Sequence, residues 1–127
     1  MLRMHSLSRY PEEACALIVG CGDKAEEIVL APNIAENPTR FFEIDPSARI
    51  HTEKKCRQSG QSIIGVFHSH PDGEAKPSNA DANMVIERNF IWLIASLNGA
   101  DEFHMGAFLP FQNGAGFTPV SLKIEEK

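Results

Sequence analysis

The chain has 127 residues and a mass of 14.0 kDa, enough for one domain spanning residues 1–127 around a single core. Hydrophobic residues make up 43% and charged residues 23%, the balance of a soluble globular protein. The net charge of −5, with basic residues scattered along the chain, argues against a nucleic-acid binder. No apolar run reaches the ~18 residues a membrane span needs, and the start lacks a signal-peptide core. The three cysteines, Cys15, Cys21 and Cys56, are odd in number and form no CxxC pair. They are expected to be buried or inert free thiols in a reducing cytoplasm.

After a short polar start, residues 14–20 (ACALIVG) form a continuous apolar run ending in glycine, the pattern of a buried strand. Residues 21–23 supply a turn and 26–32 its hairpin partner. Asn37-Pro38 breaks the chain before a third strand expected over 39–45 (TRFFEID). Asp45 followed by Pro46 predicts a helix from 46 to about 58, stopped by Gly60 and lying over the sheet edge because its apolar face is weak. Residues 62–70 (SIIGVFHSH) read as a central strand, 79–89 as a second helix and 90–97 (FIWLIASL) as another buried strand. Residues 102–111 and 117–126 close the sheet, the last with Phe117, Val120, Leu122 and Ile124 on its apolar side. Strand runs with helices between some of them predict an α+β domain, a mixed and mainly antiparallel sheet flanked by helices.

The chemistry concentrates in residues 67–81. His68 and His70 stand two apart at the end of an apolar strand, so both imidazoles leave the same face. Pro71, Asp72 and Gly73 reverse the chain, which can return Asp81 toward the histidines. Two imidazoles and one carboxylate are a set that catalytic zinc prefers, with a fourth position left for water. Ser78 and Asp81 also read as a capping box at the helix start, and taken alone that is the better reading. An amide-hydrolysing centre needs a general base as well. Glu12 and Glu13 precede the first strand; by composition alone this pair reads as a solvated turn.

These residues resemble the JAMM (MPN+) metalloprotease family. Its motif is a distant glutamate, then His-Ser/Thr-His, seven residues, Ser, two residues and Asp. Here the spacing is met by His68-Ser69-His70, Ser78 and Asp81, and the glutamate opens EACALIVG, which assigns that role to Glu13. The resemblance covers nearly the whole chain, since RFFEIDP, GVFHSHP and IWLIASL fall in the order of small prokaryotic members. It implies a cytidine-deaminase-like sandwich, one Zn²⁺ per chain on His68, His70 and Asp81, Glu13 as acid/base, and Ser78 as donor to the oxyanion. It further implies a peptidase acting on the Gly-Gly tail of a ubiquitin-like sulfur-carrier protein, since 127 residues leave little room for insertions that grip ubiquitin chains. Two departures stand out: Ala16 where glycine is common, and only about ten residues before Pro11, where members often have a longer opening helix. A RadC-like protein associated with DNA repair and a non-catalytic metal-binding scaffold are the alternatives. Ser69 stands where RadC-like chains carry asparagine, and a scaffold needs no base.

Overall fold

Two glycines near the start of the strand that carries the histidines set where it begins and what it pairs with. Gly60 takes the left-handed conformation (φ 74°) and ends the preceding helix, its N–H donating to the Cys56 carbonyl. At Gly65 a Cβ would stand 2.3 Å from the Ile91 carbonyl oxygen, so only glycine lets the two strands begin their pairing there. The computed structural model describes residues 2–85, 87, 89–98, 102–113 and 116–121. Its elements are α1 (Leu2–Arg9), β1 (Cys15–Cys21), β2 (Lys24–Ala31), α2 (Pro46–Ser59), β3 (Ser62–Pro71), α3 (Asn79–Asn83), β4 (Ile91–Asn98), β5 (Glu102–Pro110) and β6 (Phe117–Val120).

The strands form one sheet in the order β2-β1-β3-β4-β5-β6. Every pairing is antiparallel except β3 with β4, whose parallel register needs the crossover that contains α3. The fold is therefore the α+β arrangement with a mixed, mainly antiparallel sheet. β1 and β4 are buried on both faces, which is why they read as unbroken apolar runs rather than alternating ones. One face carries Ala16, Ile18, Ile64, Phe67, Leu93, Ala95 and Ala107. The opposite face carries Cys15, Trp92 and Ile94, closed over by Phe42. Cys15, His68 and Ile94 are direct partners across β1, β3 and β4, so His68 extends this second cluster to the sheet's end.

Several expectations are corrected. The polar start is helical: α1 buries Ser6 and packs Leu2 on the first cluster. Residues 39–45 form no strand; a lone bridge pairs Ile44 with Asn33. There the side-chain amide of Asn33 takes up the Phe41 carbonyl and the Glu43 N–H, so backbone groups that a ladder needs are already bonded. α2 begins at Asp45-Pro46 and stops at Gly60 as expected, but the element it approaches is β3, an interior strand. α3 stops at Asn83 instead of running to 89, because Met84 and Val85 turn inward onto the Phe42–Trp92 cluster and packing overrides helix propensity. Residues 122–126 of the last expected strand lie outside the described residues. All three cysteines are free; Cys15 and Cys56 are buried, whereas Cys21 is exposed. Burial pushes the Cys15 thiol up to about 12, which keeps it protonated and unreactive.

Candidate active site

β3 delivers His68 and His70 from one face, and their Nε2 atoms stand 3.0 Å apart. The chain then turns through Asp72, in the left-handed region at φ 56°, and returns to Ser78. Tyr10 ties this turn to the start of the chain, its hydroxyl donating to Asp72 Oδ2 at 2.5 Å. At the first turn of α3 the capping box is complete: Asp81 N–H donates to Ser78 Oγ (3.1 Å) and Ser78 N–H to Asp81 Oδ2 (2.8 Å). The box does not compete with the site, because it holds the Asp81 carboxylate where both imidazoles meet it. Asp81 Oδ1 is 3.0 Å from His68 Nε2, and Oδ2 is 3.2 Å from His70 Nε2. Ser78 itself is exposed and is tied to the site by its two hydrogen bonds with Asp81.

Glu13 joins from the start of β1. It is buried, only 6% exposed, so the solvated-turn reading fails for Glu13, while Glu12 is half-buried. Ser69, between the two histidines, fastens the strands there: its Oγ accepts from Ala14 N–H (2.8 Å) and its N–H donates to the Ala14 carbonyl (2.9 Å). Donor atoms of Glu13, His68 and His70 lie within 4.8 Å of one another, a group that could hold a metal ion.

The donor set fits a cation. His70 Nδ1 faces the Glu74 carbonyl at 2.8 Å, an acceptor, so its proton sits on Nδ1 and the neutral ring presents a lone pair from Nε2. That lone pair faces a second imidazole nitrogen and a carboxylate oxygen, an arrangement that repels itself unless a proton or metal ion sits between. Ligands on zinc in a tetrahedron stand about 3.3 Å apart, given bond lengths near 2.0–2.1 Å. The 3.0–3.2 Å separations here are close to that. His68 is supported differently: Nδ1 is buried without a hydrogen-bond partner among the described residues. Its ring is held by stacking on Phe42 (centroids 4.2 Å, planes 15° apart) and by the edge of Trp92 (5.5 Å, 89°).

Electrostatics sort the acids. Burial pushes Glu13 up to about 7; His70 opposes the rise and Asp81 adds to it. Asp81 is also opposed by burial, but its bonds to His68 and His70 outweigh this and hold it well below the usual carboxylate range. Burial lowers His68 despite its Asp81 partner. His70 would be lowered by burial too, yet Asp81 and the Glu74 carbonyl raise it on balance. One carboxylate is thus fixed as an anion and the other is poised to carry a proton, a separation typical of acid–base sites.

Sequence reasoning picked out Glu13, His68, His70 and Asp81, and the fold brings these four together, with Ser78 one helical turn away. It missed Phe42, Trp92 and Asn33. Phe42 lay in a stretch read as a strand, and no local pattern links it to His68.

Imidazoles and carboxylates that could hold a metal ion, gathered with the buried Glu13 on a mixed α+β sheet, are what these features define. The chain belongs to the family described as prokaryotic homologs of the JAB domain, whose model matches residues 1–108. It is 27% identical to a desampylase of Haloferax volcanii over 74% of this chain and 69% of the relative. A probable TtuB-protein conjugate cleaving protease of Thermus thermophilus is 33% identical over 62% of this chain, and the match spans about half (53%) of that protein. A CysO-cysteine peptidase of Mycobacterium tuberculosis is 24% identical over 93% and 82% of the two chains. Among solved structures, a protein of Desulfitobacterium hafniense superposes with TM-score 0.80 at 29% identity, covering 98% of this chain and 87% of that one. A JAB1/MPN domain protein of Archaeoglobus fulgidus shares the fold at TM-score 0.51 and 19% identity, over 82% and 76% of the chains. Among the described residues no helix is long and apolar enough to cross a membrane.

Proposed function

We propose that the protein is a zinc-dependent peptidase that hydrolyses an amide or isopeptide bond at the Gly-Gly tail of a ubiquitin-like sulfur-carrier protein. The observation that carries this reading is the convergence of His68, His70 and Asp81 within 3.0–3.2 Å beside a buried Glu13. His68, His70 and Asp81 would hold the zinc ion, one per chain. Bound there, zinc makes water acidic enough to attack near neutral pH and polarises a carbonyl. Glu13, buried beside the proposed ligands, would take the proton of the attacking water and hand it to the leaving nitrogen. Ser78 keeps its hydroxyl proton free while its oxygen caps α3, and donates that proton's hydrogen bond to the oxyanion. The relatives named as a conjugate cleaving protease and a CysO-cysteine peptidase support hydrolysis at such a junction.

The tail would lie extended and pair through its main chain with a sheet edge by β-augmentation. Glycines suit the last positions because backbone must approach the site closely. The test offers the purified enzyme a sulfur-carrier protein extended beyond its Gly-Gly, beside a variant with Val-Val. Cleavage just after Gly-Gly, and much slower cleavage of Val-Val, is the expected result. Equal cleavage of both, or of neither while an unrelated peptide is cut, contradicts the substrate class.

A further inference from the structure

The stretch between β2 and α2 has no regular structure, yet it touches the site twice. Its Pro38 carbonyl accepts the Glu13 N–H at 2.7 Å, and the Asn33 side chain donates to the Glu13 carbonyl at 2.9 Å. Both backbone groups of Glu13 are therefore held by one loop. The same loop supplies Phe42, whose ring stacks on His68.

Asn33 is the hub of this loop. Its Nδ2 donates to the Glu13 carbonyl (2.9 Å) and the Phe41 carbonyl (3.0 Å), with the Pro38 carbonyl at 3.4 Å. Its Oδ1 accepts from the Ala35 N–H (3.1 Å) and the Glu43 N–H (3.0 Å). A primary amide has two N–H donors and two lone pairs, and here all four are used. Carbonyls surround one end and N–H groups the other, so the orientation of the amide is unambiguous and no other side chain of this size satisfies both ends. Through Phe41 and Glu43, Asn33 fixes the residues on either side of Phe42; through Glu13 it fixes the proton carrier. The two are 29 positions apart in the chain and share no element.

We infer that Asn33 is a positioning residue of this site: its side-chain amide sets Glu13 and the Phe42–His68 stack in register with each other. The inference rests on the reading of Glu13 as proton carrier. A displacement of about 1 Å at such a group lowers turnover by up to ~10²-fold while leaving binding of the substrate's distant parts alone.

Two variants test it in the metal-loaded protein. Asn33→Asp keeps the acceptor that holds the Ala35 and Glu43 N–H groups but turns an oxygen toward the Glu13 and Phe41 carbonyls. Asn33→Ala removes both sets of bonds. Thr39→Ala, exposed in the same loop and bonded to Asn37, serves as control. Metal content, KM, kcat and hydrogen exchange at the Glu13 and Ser69 amides are measured. Both Asn33 variants are expected to keep one metal per chain and a KM within about twofold, while kcat falls about tenfold or more. Exchange at the Glu13 amide is expected to speed up about tenfold relative to Ser69, whose amide is held by Ala14 instead. Thr39→Ala is expected to match wild type. Unchanged kcat, unchanged relative exchange, equal acceleration at both amides, or failure of both variants to fold each overturns the inference. Absence of hydrolysis by wild type contradicts the peptidase reading and is seen without any variant, whereas the exchange measurement judges the Asn33 clamp independently of activity.

Discussion

Residues 68–81 and residues 33–44 meet at the same site but are built on opposite principles. The first segment is local: a strand sets two imidazoles on one face, and a capping box that opens eight residues past His70 returns a carboxylate. The second has one bridge and no strand, and its hub is a single amide side chain bonded to five backbone groups, supplemented by bonds such as Ile34 N–H to the Glu43 carbonyl. The proposed metal ligands are therefore placed by regular secondary structure, whereas Glu13 and the packing around His68 depend on irregular chain held by side-chain and backbone hydrogen bonds.

The largest expected effect separates Glu13 from its neighbour. Glu13→Gln removes the base but no proposed ligand, so hydrolysis is expected to fall by ~10²-fold or more, while Glu12→Gln is nearly silent. Steady-state cleavage assays of the two variants decide it; similar losses in both would mean that the base is misassigned.

Next comes Ser78, where the cap and the proposed chemistry coincide. Ser78→Ala is expected to lose about 10²-fold in kcat, as for one oxyanion donor, and about 1 kcal/mol of stability from the lost cap. Ser78→Asp restores the cap, since aspartate caps as well as serine, but supplies no hydroxyl donor. Recovery of the melting temperature without recovery of kcat is the expected pattern, and recovery of both would reduce Ser78 to a structural role.

On the irregular side, Phe42 is 5% exposed, as deeply placed as Trp92. Phe42→Ala is expected to cost about 3–5 kcal/mol in urea unfolding, the penalty of a core position. A loss under 1 kcal/mol would mean that the loop merely rests on the domain and does not form part of its core.

The smallest effect is a pH dependence of the protein stripped of metal with a chelator. The Glu13 carboxyl is raised from 4.5 to about 7, so between these values the folded chain holds a proton that the unfolded chain has released. Stability from this group is therefore fully present below pH 4.5 and declines as pH rises toward 7. Glu13→Gln cannot titrate, so the melting temperature of wild type is expected to fall relative to it across that window. A constant gap between the two would show that burial does not perturb Glu13.

The legibility of the chain follows the same division. β1, β3 and β4 were readable because strands buried on both faces are continuous apolar runs. α2 was readable because Asp45-Pro46 and Gly60 are local signals acting on adjacent backbone. His68, His70 and Asp81 were readable because their geometry follows from spacing, and Glu13 because it opens a motif. α1 was missed because eight residues with one buried serine carry too little periodicity, and its helix depends on packing Leu2 against the sheet. Residues 39–45 were misread because Phe42 and Ile44 pack on the second cluster without a strand ladder, while the Asn33 side chain takes up backbone groups of Phe41 and Glu43.

The proposed chemistry rests on a division of labour between the two carboxylates, Asp81 as ligand and Glu13 as proton carrier. Metal content per chain, measured by mass spectrometry on Asp81→Ala and Glu13→Gln purified without chelator, tests it most directly. Close to one zinc per chain is expected in wild type and Glu13→Gln, with loss of most of it in Asp81→Ala and the fold retained. Full metal in Asp81→Ala together with loss in Glu13→Gln would contradict it, making Glu13, His68 and His70 the ligand set.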